Sequence, residues 1–131
     1  METKVLIIDD DKIICKVTKR MFQVSGLSQD PLIFNSGENA IHFLKKDKFK
    51  ENNFIIFLDI NMPLINGWDF IDILARENLL NNKDVYLITS SIDPSDHDRA
   101  NKNIHIKDIL IKPITLAKTK ELVVQINNLQ N

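Results

Sequence analysis

Four apolar runs in this chain each end in a side chain able to take part in chemistry. Val5-Leu6-Ile7-Ile8 leads into Asp9-Asp10-Asp11, and Phe54-Ile55-Ile56-Phe57-Leu58 into Asp59. Val85-Tyr86-Leu87-Ile88 leads into Thr89, and Ile109-Leu110-Ile111 into Lys112. If the runs are parallel strands of one sheet, their carboxyl ends share one edge, where open α/β sheets hold ligands. Asp9, Asp10, Asp59, Thr89 and Lys112 then meet in one place. Carboxylates ~4 Å apart repel by ~4 kcal/mol at an effective dielectric near 20. They must keep a proton, pair with a cation or bind a metal. An all-oxygen donor set with room for water and a phosphate oxygen favours Mg²⁺ over Ca²⁺.

Each residue also has a plainer reading. Asp59 alone could cap the following helix, since Asp is a common N-cap residue. An acidic run after a strand is often a cap or a solvated turn, Lys112-Pro113 could be a surface turn, and Thr89 could be structural. What favours chemistry is the joint placement at four strand ends. Other chemistries lack support. His42, His97 and His105 have no metal-type spacing and are expected at the surface. Cys15, the histidines and the serines form no convergent triad pattern. With 3 glycines in the chain there is no glycine-rich phosphate loop.

The elements that must position these groups follow from periodicity. The run 54–58 is apolar throughout, as expected of a strand buried on both faces. Residues 12–24 place Ile14, Val17, Met21 and Val24 at helical spacing, with Asp10 or Asp11 as cap and Ser25-Gly26 as the stop. Pro31 at the start of a short strand over 31–35 suits a sheet edge. Ser36 caps a helix over about 37–48, with Ala40, Phe43 and Leu44 facing inward. A helix from Gly67 to Leu79 turns Phe70, Ile71 and Leu74 to one face. Asn81-Asn82-Lys83 reads as a turn. Asp93-Pro94 opens a helix to about 102 that is almost wholly polar, and so is expected to be exposed and weakly held. Thr115 starts the last helix, with Leu116, Leu122, Val123, Ile126 and Leu129 along one stripe. Five β-α repeats of this kind specify an α/β fold, a parallel sheet with helices on both faces and right-handed crossovers.

Composition sets the outer bounds. The 131 residues fit one domain, with 44% apolar and 27% charged residues as in ordinary globular proteins. A formal net charge of −1 gives no electrostatic case for nucleic acid or anionic membrane. No run approaches the ~20 apolar residues needed to cross a bilayer, and the first residues lack a signal-peptide pattern. The single Cys15 cannot form an internal disulfide, so a reducing cytoplasm is the expected location. Cys15 lies in an apolar helical pattern and is expected to pack rather than react. No linker or low-complexity segment divides the chain, and residues 1–131 are expected to form a single domain.

Taken together, Ile7-Ile8-Asp9-Asp10, Leu58-Asp59-Ile60-Asn61-Met62-Pro63 with Gly67, Ile88-Thr89-Ser90 and Ile111-Lys112-Pro113 resemble the receiver domain of bacterial two-component response regulators. The resemblance covers the whole length, and the Asp-x-Asn-Met-Pro-x-x-x-Gly segment is its most specific part. It implies a flavodoxin-like (β/α)5 doubly wound sheet in strand order 2-1-3-4-5. It makes Asp59 the phosphoacceptor. Asp10 and Asp59 would bind Mg²⁺ directly with the backbone carbonyl of Asn61, and Asp9 would act mostly through water. Thr89 would hydrogen-bond a phosphoryl oxygen and Lys112 would pair with the phosphate, in a cis Lys112–Pro113 turn. The donor would be a phosphohistidine on a sensor histidine kinase or histidine phosphotransfer protein.

The domain would then be a switch rather than an enzyme, with no output domain in these residues. Asn61 and Ser91, at positions that influence acyl-phosphate hydrolysis in the family, supply no evident general base. Ile109 departs from the pattern, because many receivers carry Tyr or Phe there. A Mg²⁺-dependent phosphatase of the haloacid dehalogenase type would want Asp-x-Asp, where this chain has Asp59-Ile60-Asn61. A docking module that is never phosphorylated would be expected to lack Asp59 or Lys112.

Overall fold

The computed structural model describes residues 3–46, 52–90 and 93–130, with side chains through 128. Strands and helices alternate along the chain: β1 (Thr3–Ile8), α1 (Lys12–Ser25), β2 (Leu32–Phe34), α2 (Gly37–Leu44) and β3 (Asn53–Asp59). They continue as α3 (Gly67–Arg76), β4 (Lys83–Thr89), α4 (Pro94–Asn101), β5 (Ile106–Ile111) and α5 (Leu116–Gln130). All pairings are parallel and the order is β2-β1-β3-β4-β5, as the resemblance implied. β2, which Pro31 precedes, is an edge strand.

Strand alternation divides the interior in two. Leu6, Ile8, Ile56, Leu58, Val85 and Leu87 face α2, α3 and Ala100 of α4. Val5, Ile7, Ile55, Phe57, Tyr86 and Ile88 face Cys15 and Phe22 of α1 and Leu122 of α5. In the second layer the Phe22 and Phe57 ring centroids lie 4.7 Å apart, and Phe57 stacks on Tyr86 at 5.1 Å.

Several helices differ from the expectation. Asp11 caps α1, accepting from the Ile13 and Ile14 N–H groups, and Gly26 ends it at φ 82, a left-handed turn that glycine enters freely. The buried stripe of α1, however, is Cys15, Thr18 and Phe22. Val17 and Val24 are 54% and 58% exposed, and Ile14 and Met21 are half-buried. The helix is rotated so that its one aromatic ring fills the sheet face, which leaves β-branched residues at the margin. α2 ends at Leu44, before residue 48, and the residues from 47 lie outside the described ones; Ala40, Ile41 and Leu44 are buried, while Phe43 is half-buried. α3 stops at Arg76 rather than Leu79, because Asn78 turns left-handed at φ 58 and the Leu79 N–H bonds back to the Leu74 carbonyl at 2.8 Å.

Lys83 is not in a turn. It opens β4 and is 2% exposed, with its ammonium 3.4 Å from the Asn81 carbonyl and 5.2 Å from the Phe54 ring centroid. Burial lowers its pKa. His42 and His97 are exposed, but His105 is half-buried, its ring Nδ1 3.3 Å from the Lys83 carbonyl.

α4 is polar as expected, with Asp93 as cap, Pro94 in its first turn and Ala100 as its buried residue. It is nevertheless fastened to α3. The Trp68 Nε1–H donates to Asp96 at 3.0 Å, and Arg99 lies 4.5 Å over the Trp68 ring while pairing with Asp72 at 3.2 Å. In α5, Leu122 is fully buried, Val123 and Ile126 are half-buried and Leu116 is 37% exposed. The Leu129 side chain lies outside the described residues. Among the described residues no helix is long and apolar enough to cross a membrane.

Candidate functional site

Register brings the polar ends together. Ile8 pairs with Leu58, so Asp9 and Asp59 emerge side by side. Asp59 pairs with Ile88 and Thr89 with Ile111, so Thr89 and Lys112 follow on the next strands. Asp9, Asp59 and Thr89 are buried and Asp10 is exposed. Carboxylate oxygens of Asp9, Asp10 and Asp59 lie within 4.8 Å of one another. The Lys112 ammonium reaches between them, 2.9 Å from Asp9 Oδ2 and 3.1 Å from Asp59 Oδ2. Asp11, the third acid of the run, is taken up as the α1 cap.

Backbone donors fix both buried acids. Asp9 Oδ1 accepts from the Asp11 N–H at 2.9 Å, and Asp59 Oδ1 from the Asn61 N–H at 3.0 Å. Gly67 starts α3 hard against this strand end. Its N–H bonds the Ile60 carbonyl at 2.9 Å, and a Cβ there would sit 2.9 Å from both the Asp59 carbonyl oxygen and the Ile60 Cα. That is the physical reason for glycine in the motif. The Lys112–Pro113 peptide bond is cis. Ser91 lies outside the described residues.

The electrostatics follow from burial. Desolvation pushes the Asp59 carboxyl up to about 6; the Asn61 N–H and Lys112 oppose the rise, and the Asp9 charge adds to it. Burial disfavours the Lys112 ammonium, but Asp9 and Asp59 outweigh it and hold its pKa above the ordinary lysine value. Asp9 Oδ2 has the Lys112 charge beside it, yet among the described residues no donor aligned for a hydrogen bond. A buried carboxylate oxygen without an aligned donor, with two further carboxylates nearby, fits a hard divalent cation such as Mg²⁺.

Two residues beside the acids, Asn35 and the Cys15 expected only to pack, have no sequence pattern that ties them to the site. Asn35 Nδ2 donates to the Asp9 carbonyl at 3.0 Å, and Cys15 Sγ donates to the same oxygen at 3.3 Å. Burial, then the nearby acids, push the Cys15 thiol up to about 12, which fits a packed and unreactive sulfur. Asn35 follows a strand that the sequence did place, but nothing in its own neighbours says that its side chain turns toward β1.

A doubly wound sheet with acids, a threonine and a lysine on its carboxyl edge is the arrangement of response regulator receivers. The chain belongs to that family: residues 5–124 match the response regulator receiver domain. It is 30% identical over 128 residues to the response regulator SaeR of Staphylococcus aureus, covering 97% of this chain and 50% of that protein. It thus spans about half the length of the curated relatives it matches. A two-component response regulator from Cytophaga hutchinsonii superposes with a TM-score of 0.82 at 30% identity, covering 96% of this chain and 97% of the other. A response regulator receiver protein from Dyadobacter fermentans gives 0.79 at 28%, covering 95% and 97%. The chemotaxis protein CheY4 of Vibrio cholerae, at 19% identity, shares the fold with a TM-score of 0.76 over 95% of this chain and 98% of that one.

Proposed function

We propose that Asp59 is the phosphoacceptor of a receiver switch formed by residues 1–131. The observation that carries this is a buried Asp59 carboxylate 3.1 Å from the Lys112 ammonium, with Asp9 and Asp10 beside it. The donor is a phosphohistidine on a sensor histidine kinase or a histidine phosphotransfer protein. An Asp59 oxygen attacks phosphorus, the P–N bond breaks with its electron pair returning to the imidazole, and an acyl phosphate forms. Asp10, Asp59 and the Asn61 carbonyl would hold Mg²⁺ directly, with Asp9 acting through water. Bound there, the metal would neutralise charge on the transferring group.

Lys112 then moves from its carboxylates to the phosphate, and the Thr89 hydroxyl donates to a phosphoryl oxygen. The gain of about −2 charge shifts a protein-binding surface. The chain's own chemistry is confined to this transfer and the slow loss of the phosphate. A reducing cytoplasm is the proposed setting, supported by one buried free cysteine.

The test is labelling by acetyl phosphate or beryllofluoride with and without Mg²⁺. One equivalent per chain, dependent on Mg²⁺ and absent in Asp59→Asn, is the expected result. Labelling that persists in Asp59→Asn overturns the assignment, and steady turnover of a phosphomonoester would favour a hydrolase.

A further inference from the structure

The Asp9 carbonyl belongs to the peptide that joins Asp9 to Asp10, so whatever fixes it helps fix the backbone from which both carboxylates project. Strand pairing does not fix it. The β1–β2 ladder ends at Ile8 and Phe34, and its last rung is the Asp9 N–H to the Phe34 carbonyl at 3.1 Å. Beyond that point Ser36 caps α2 and the chain leaves the sheet. Two side chains supply the missing donors. Asn35 Nδ2 reaches the carbonyl at 3.0 Å from the end of β2, and Cys15 Sγ reaches it at 3.3 Å from α1. The two donors are themselves 3.6 Å apart, so they brace one another. With the Asp11 N–H on Oδ1, every polar atom of Asp9 but Oδ2 is then committed to a hydrogen bond.

We infer that Asn35 and Cys15 are positioning residues, which orient the Asp9–Asp10 peptide and so preform the acidic cluster for its cation. The inference rests on the proposal that this cluster takes Mg²⁺. Groups that orient metal ligands without touching the metal typically change affinity by about 10–100-fold when lost. Asn35→Leu keeps the size, removes the donor and keeps water off the carbonyl. Cys15→Ala removes the other donor, and Cys15→Ser restores one.

The test is Mg²⁺ titration by calorimetry on the full chain, alongside urea unfolding without metal. Asn35→Leu is expected to weaken Mg²⁺ binding about tenfold, and Cys15→Ala several-fold, with Cys15→Ser close to wild type. A contact that only stabilises the fold would lower the urea midpoint and leave Mg²⁺ affinity within twofold of wild type. That result in both Asn35→Leu and Cys15→Ala overturns the inference while leaving the metal proposal standing. If Asn35→Leu does not fold, the Cys15 pair decides alone: Cys15→Ala weakened with Cys15→Ser restored supports the brace, and any other pattern overturns it. Wild type that binds no Mg²⁺ overturns the metal proposal itself, and the inference with it.

Discussion

Asp59 is held in a state that the folded protein disfavours. Its carboxyl rises from 3.8 to about 6 on folding, so protonation favours the native state. The stability tied to that proton is fully present below pH 3.8 and is lost as pH rises through about 6. Asp59→Asn should therefore stabilise the metal-free protein at pH 7 by roughly 1–3 kcal/mol, since one pKa unit corresponds to ~1.4 kcal/mol. The gain should shrink toward zero near pH 4, which urea midpoints at the two pH values would check. An unchanged midpoint at pH 7 would mean that Lys112 fully offsets the burial. Cys15 makes a second case at this scale. Its raised pKa and 1% exposure predict that iodoacetamide labels it orders of magnitude more slowly in native than in urea-unfolded protein. Comparable rates would contradict the packing seen here.

The elements show where periodicity is informative and where it is not. Among the described residues, all five strands and five helices were legible, because apolar runs and caps act locally, as Asp11, Ser36 and Asp93 do. The rotation of α1 was not legible: its aliphatic residues make a convincing stripe, but Phe22 wins the interior because one ring fills more space than a valine. Phe22→Ala should accordingly cost about 3–5 kcal/mol, and Val17→Ala less than about 0.5. Equal losses would put the stripe where the aliphatics suggested. Lys83 departs from the expected turn for a related reason. A lysine beside two asparagines has the composition of a turn, and only the β3–β4 register, pairing it with Phe54, brings it inside. Of the site, the strand-end residues were legible as a set. Asn35 was not, because its role depends on β2 lying beside β1, a contact no local pattern encodes.

At the scale of the molecule, the proposed phosphorylation of Asp59 has to reach the surface to act as a switch. Ile109, at the place where many receivers carry an aromatic ring, is buried among the α2–α3–α4 side of the core. It is β-branched and stiff at χ1. Phosphorylation should leave it in one rotamer and shift the 90–102 segment, of which residues 91 and 92 lie outside the described ones. Amide exchange and methyl spectra with and without beryllofluoride would check this. A full rotamer change at Ile109 with unchanged exchange across 93–102 would reverse it. The polar α4 was expected to have little to resist such movement, yet Trp68 and Asp72 tie it to α3. Trp68→Phe, which loses the bond to Asp96, should therefore speed exchange in α4 before any phosphorylation.

That tie has an experimental consequence. Trp68 is the chain's one tryptophan, and its indole sits under a guanidinium and against a carboxylate of the helix expected to shift. Both partners are charged, so withdrawing either changes the field across the ring and hence its emission. The protein thus carries an intrinsic fluorophore at the joint between α3 and α4. Stopped-flow mixing with acetyl phosphate could time α4 in the unlabelled wild-type chain, with Arg99→Gln as the control that separates the cation's contribution from the carboxylate's.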